Sequence, residues 1–213
     1  MKIKKNQRIY WETFYKDFEF YKPSNFAKFI LRKKYLRKNN TLLEIGCGNG
    51  RDTFFFVRNK IKCFSIDKSY KAIDNCKKKI KNIFFKADVS KIKINKANFF
   101  KKKRIDFIYA RFFLHTLNFD EEKKFFDFIK FVLPKNGLLF LEFRTVDDKL
   151  MNNGKIISAT ERITDHYRRF IDTNKLLTVL RERYKVLYFK KGRGLAIYKK
   201  DNPDVCRLVL KKI

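Results

Sequence analysis

Apolar residues recur in two rhythms along this chain: short, nearly continuous runs closed by Gly, Asn or Lys, and longer stretches spaced for one face of a helix. The run Thr41-Leu42-Leu43-Glu44-Ile45 passes through Gly46-Cys47-Gly48-Asn49-Gly50 into Asp52-Thr53-Phe54-Phe55-Phe56-Val57, which reads as strand, tight turn and helix. The pattern repeats. A strand at 61–66 precedes a helix from Ser69, with Ala72, Ile73, Cys76 and Ile80 on one face, and a strand follows at 82–87. After a polar, Lys-rich connection come a strand at 105–110, a helix capped by Asp120, the turn Pro134-Lys135-Asn136-Gly137 and a buried strand at 138–143. Strands alternating with helices predict an α/β fold, a parallel sheet covered on both faces.

Both ends depart from the alternation. Residues 8–37 read as two helices, the second opened by Pro23-Ser24 and carrying Phe26, Phe29, Ile30 and Leu36. Tyr10, Trp11, Phe14 and Tyr15 form an aromatic stripe on the first, a pattern of core packing that leaves Tyr10 and Tyr15 as secondary candidates for lining a ligand mouth. Near the C-terminus, a helix capped by Asp172 leads into a strand at 185–189, and Gly192-Arg193-Gly194 turns into a second at 195–198. That connection is too short for a crossover, so these last strands are expected to form an antiparallel hairpin.

At 213 residues the chain suffices for a single domain over 1–213 with a full core. We divide it into N-terminal helices (1–40), a cofactor-binding half (41–143), a substrate loop (144–171) and a C-terminal helix with hairpin (172–213). The net charge of +31 would draw nucleic acid or anionic surfaces through its long-range field. Yet Lys is spread through nearly every segment beside abundant Asn, Ile, Phe and Tyr, as AT-rich coding alone produces, so any nucleic-acid binding is expected to be non-specific. The four cysteines, Cys47, Cys63, Cys76 and Cys206, show no paired spacing, which argues against zinc and disulfides. With no leader-like apolar segment behind Met1-Lys2-Ile3-Lys4-Lys5 and no membrane-length apolar run, a cytoplasmic location with no transmembrane segment is expected.

The glycine turn carries the chemistry. A missing Cβ permits positive φ and lets a ligand approach the backbone, and Asp67 closes the next strand where a ribose diol lies in a nucleotide-binding sheet. Arg51 stands where a dinucleotide fingerprint needs its third glycine, and Glu44 suits a cofactor with a cationic amino group. The frame Glu44-x-Gly46-x-Gly48-x-Gly50 resembles the first motif of class I S-adenosylmethionine-dependent methyltransferases, and Ala87-Asp88-Val89 falls where that family places an adenine-contacting acid. The resemblance implies a Rossmann-like, doubly wound, mostly parallel seven-stranded sheet ending in an antiparallel hairpin. It also implies S-adenosyl-L-methionine held by Glu44, Gly46, Cys47, Gly48, Gly50, Asp67, Lys68, Asp88, Val89 and Arg111.

Methyl transfer to a hydroxyl needs a proton acceptor. The chain has 2 His. His115 follows the fourth strand in Arg111-Phe112-Phe113-Leu114-His115, similar to the motif of small-molecule methyltransferases there, and His166 lies in the long connection after the fifth strand. Each reads as a catalytic base or as a hydrogen-bonded structural residue. Beside His166, Tyr167, Arg168 and Arg169 are candidates for binding the acceptor's phosphate or carboxylate, or else pair with Glu161 and Asp165. No Asn-Pro-Pro-Tyr element follows the fourth strand and no Pro-Cys pair is present, which argues against DNA-base methylation. The expected reaction is O-methylation of a small or sugar-type, anionic acceptor. The alternatives are an RNA methyltransferase and a silent module that binds cofactor or nucleic acid without turnover.

Overall fold

The structure, a computed structural model, describes residues 2–17, 22–80 and 83–213. Seven strands build the main sheet: β1 (Thr41–Ile45), β2 (Lys62–Asp67), β3 (Phe84–Lys86), β4 (Phe107–Arg111), β5 (Leu138–Arg144), β9 (Tyr184–Gly192) and β10 (Val205–Lys212). Their order is β3-β2-β1-β4-β5-β10-β9, with β10 antiparallel to both neighbours and the other pairs parallel. The chain reverses direction across the sheet between β1 and β4, the switch point at whose carboxyl edge open α/β sheets bind their ligands. Helices α1 (Lys2–Asp17), α2 (Asn25–Arg32), α3 (Arg51–Arg58), α4 (Tyr70–Lys79), α5 (Ile94–Lys102), α6 (Phe119–Val132) and α7 (Thr173–Arg181) surround it.

Strand alternation sorts the side chains into two layers. Leu43, Ile45, Ile108, Leu139 and Leu141 face Phe125, Ile129 and Leu177 of α6 and α7, whereas Leu42, Tyr109, Phe140 and Val209 face Phe26 and Ile30 of α2 and Phe56 of α3. The second layer also carries charge. Glu142, fully buried on β5, pairs with Arg111 of β4 at 2.8 Å and with Arg207 of β10. Helix starts follow local chemistry: Ser24, Ser69 and Asp172 each accept a hydrogen bond from their own helix's first turn.

Four expectations need correction. The last strand is Val205–Lys212, and residues 195–198 belong to its connection. A strand between two others must be apolar on both faces; Val205 and Leu208 to Leu210 are wholly buried, whereas Ile197 is 55% exposed. The Lys-rich connection before β4 holds α5, anchored by buried Ala97 and Phe100. The cap of α6 is Asn118, not Asp120: its side chain accepts the Glu121 amide while Glu121 returns to the Asn118 amide, and Asp120 sits in the first turn. The loop at 144–171 carries its own antiparallel sheet, β6 (Lys155–Ile156), β7 (Glu161–Ile163) and β8 (Tyr167–Arg169), with Arg162 donating to three main-chain carbonyls, Met151, Ser158 and Glu161.

Candidate active site

At the carboxyl edge, Gly46, Gly48 and Gly50 take φ of +75°, +52° and +77°. The Gly46 and Cys47 amides donate to the Ile66 carbonyl, and the Gly48 amide donates to Asp67 Oδ2 at 2.9 Å, so the end of β2 holds the turn. A Cβ on Gly46 would lie 2.5 Å from the Phe113 ring, and one on Gly48 2.5 Å from the Tyr15 hydroxyl. Only glycine satisfies both the left-handed backbone and this approach.

Below the turn runs an open cleft between β1, β2, β3 and the segment after β4. Gly46, Asp67, Lys68, Asp88 and Val89 line it, together with Tyr15. Burial raises the Asp67 carboxyl above its usual range, and the amides of Ser69 and Gly48 oppose the rise. Each Asp67 oxygen takes one amide and keeps a lone pair for a hydroxyl. Asp88 is half-turned inward, its Oδ1 accepting from the Ser90 amide and hydroxyl. Two strand-end carboxylates between the apolar walls of Ile45, Ile66 and Leu117 suit an adenosine, whose diol and amino group donate and whose base is flat and apolar.

Glu44, Cys47, Gly48, Gly50 and Arg111 do not line this cleft. Glu44 points from the other face of β1, where Thr53 donates to its carboxylate at 2.5 Å. Burial and the neighbouring Asp52 hold its carboxyl well above the usual range. Cys47 is buried, its thiol pushed far up by desolvation and by Asp67. Gly50 ends the turn as the N-cap of α3. Arg111 lies against the ring of Phe112, which does line the cleft.

Sequence reasoning missed how α1 covers the site. Glu12 accepts from the Ser69 hydroxyl and the Tyr70 and Lys71 amides, a carboxylate on the positive N-terminus of α4. Gln7 donates to the Thr116 carbonyl at 2.9 Å and Tyr10 to Asp165 at 2.7 Å. These contacts place Trp11 and Tyr15 on the cleft. The only signal available was the aromatic stripe.

Beside the cleft, His166 packs between Tyr10 and Trp11, with ring centroids 4.3 and 4.9 Å away. Its Nδ1 is 3.2 Å from Asp165 Oδ2, within ion-pair reach yet off the hydrogen-bond line, and its buried Nε2 has no hydrogen-bond partner among the described residues. Burial lowers its pKa and Asp165 partly restores it, while Arg168 lowers it further. Asp165 is desolvated, yet its contacts with His166, Arg168 and Tyr10 prevail and keep it well below the carboxylate range. His115 is also buried, with Nδ1 accepting the Arg144 amide at 3.4 Å; desolvation and then Arg144 hold its pKa well below the usual value. Both imidazoles are therefore neutral at pH 7. Arg168 is engaged by Thr164 and Asp165. Arg169 is buried, donating to the Leu117 carbonyl at 2.9 Å and pairing with Glu122, and Tyr167 donates to Glu161. Arg168 and His166 thus share one cluster, whereas Arg169 and Tyr167 secure the inserted sheet.

A family model described as a methyltransferase domain matches residues 15–189. The chain belongs to that family, and its sheet order is that of a class I S-adenosylmethionine-dependent methyltransferase. Among solved structures, a methyltransferase from Anabaena variabilis superposes with a TM-score of 0.74 at 16% identity, over 100% of this chain and 96% of its own. One from Methanosarcina mazei gives 0.72 at 16% identity over 86% and 97%. The glycopeptide N-methyltransferase MtfA, complexed with S-adenosyl-L-methionine, gives 0.65 at 13% over 92% and 96%. No curated protein matches the chain. Among the described residues, no helix is long and apolar enough to cross a membrane and no acidic, His or Cys cluster could hold a metal.

Proposed function

We propose that the chain transfers a methyl group from S-adenosyl-L-methionine to an oxygen of a small or sugar-type, anionic acceptor. The observation that carries this reading is His166: a neutral imidazole whose buried Nε2 has no hydrogen-bond partner among the described residues, packed on Trp11, whose ring lines the cleft. When bound, the cofactor supplies an electrophilic methyl on a sulfonium. Asp67 accepts the ribose hydroxyls and Asp88 the adenine amino group, while the turn from Gly46 to Gly50 lets the cofactor meet the backbone. His166 takes the acceptor's hydroxyl proton on Nε2, and Asp165 stabilises the imidazolium that results. Arg168 supplies positive charge beside it.

MtfA shows that this fold also hosts N-methylation, so the choice of oxygen rests on the base and not on the fold. The test is methyl transfer from labelled cofactor to cell-extract fractions split into small-metabolite, glycan and RNA pools. Label in the first two pools, lost in His166→Ala while S-adenosylhomocysteine still binds, supports the reading. Stoichiometric label at one RNA position at physiological salt overturns it.

A further inference from the structure

Three features meet at the carboxyl end of β4. Phe112, the first residue past the strand, has φ of +51°, a conformation rare for a bulky side chain. Its amide donates to the Glu142 carbonyl at 2.7 Å, which holds the turn, and its ring lines the cofactor cleft. The Arg111 guanidinium lies over that ring, 4.2 Å from its centroid, and that of Arg144 is 5.7 Å away.

The guanidinium of Arg111 is fixed by a single bond, Nε to Glu142 at 2.8 Å, which leaves both Nη groups without a hydrogen-bond partner among the described residues. The side chain is 15% exposed. Nearby carboxylates are already engaged: Glu142 also by Arg207, Asp148 and Asp201 by Arg144, and Asp52 by Ser24 and Tyr109. A guanidinium locked through Nε and stacked on an aromatic ring presents its Nη pair as a preformed fork for two oxygens.

We infer that Arg111 binds the anionic group of the methyl acceptor, a carboxylate or a phosphate, with Phe112 as the wall between that group and the cofactor. The strained turn at Phe112 keeps the fork and the ring in contact. The inference rests on the proposed methyl-transfer reading and names the residue that recognises the acceptor's charge.

The test uses the full chain saturated with S-adenosylhomocysteine and titrated by calorimetry with inorganic phosphate or acetate at constant ionic strength. One anion should bind at a single site per chain, and the tighter of the two distinguishes a phosphorylated from a carboxylated acceptor. Arg111→Gln should weaken that binding by about tenfold or more, with S-adenosylhomocysteine affinity unchanged. Arg111→Lys keeps the charge without the fork and should recover only part of it; it also decides the matter if the Gln variant does not fold. Arg104→Gln, on the exposed surface before β4, should change nothing. Anion binding equal in wild type and both Arg111 variants, absent from wild type, or reduced as much by Arg104→Gln overturns the inference. Failure of wild type to bind S-adenosylhomocysteine instead overturns the methyl-transfer reading itself.

Discussion

The Asp67 carboxylate accepts the Gly48 amide at 2.9 Å through one oxygen and the Ser69 amide at 2.8 Å through the other. One side chain therefore ties the glycine turn after β1 to the start of α4. Asp67→Asn keeps the shape but turns an amide donor toward one of those donors. Loss of a hydrogen bond to a charged group costs about 1.5–3 kcal/mol, so S-adenosylhomocysteine affinity should fall about tenfold or more in calorimetry, together with a lower melting temperature.

Gly48→Ala places a methyl against the Tyr15 ring at a residue with φ of +52°. Backbone strain of this kind costs about 1–3 kcal/mol. Both urea-denaturation stability and cofactor affinity should decrease, because Tyr15 must withdraw and carries α1 with it. Wild-type stability in this variant would show that Tyr15 does not pack on the turn.

The pH dependence follows from the two buried imidazoles. Burial lowers the folded pKa of both His166 and His115 below 6.5. Above 6.5 both are neutral, folded or unfolded, and cost nothing; as pH falls below it the unfolded chain binds protons first, and stability is lost down to the folded pKa. Stability measured by denaturation should be flat from neutral to mildly alkaline pH and decline below about 6.5. Turnover should hold through the upper part of that decline and fall only at lower pH, where folded His166 takes up its proton. Asp165→Asn removes the group that raises the His166 pKa, so the limb of kcat should move to lower pH and kcat should fall. An unmoved limb would detach Asp165 from the base.

Glu142 lies wholly buried between Arg111 and Arg207. Glu142→Ala leaves two guanidiniums without their carboxylate, and breaking a buried ion pair costs about 3–5 kcal/mol. Urea denaturation should register a loss of that size. A change below about 1 kcal/mol would mean that solvent reaches the pair as it does a surface one.

Much of the molecule is legible locally. The glycine turn, the strand-end acids Asp67 and Asp88 and the caps Ser24, Ser69 and Asp172 depend on backbone angles and nearest neighbours, which residue types specify directly. The alternation of β1 through β5 with helices likewise follows from apolar periodicity, because hydrophobic spacing is a local consequence of which face must be buried.

What the tertiary structure decided are matters of which surface meets which. Residues 195–198 and 205–210 are both apolar runs after a turn, and only the place between β5 and β9 selects the second as the strand. The motif position of Glu44 suggested a cofactor contact, but strand alternation turns it toward Thr53, on the face away from the cleft. The sequence distance from Glu12 to the α4 N-terminus, and from Tyr10 to Asp165, conceals contacts that bring α1 over the cleft. Neighbouring letters do the same within the inserted sheet: Arg168 faces Asp165 and His166 whereas Arg169 turns to Glu122, because successive residues of β8 point to opposite sides. By itself the sequence determined the glycine turn and the acids at the strand ends, since these are built of backbone and nearest neighbours; the cover that α1 lays over the cleft and the cluster around His166 are built of side chains brought together from separate elements, and only folding assembles them.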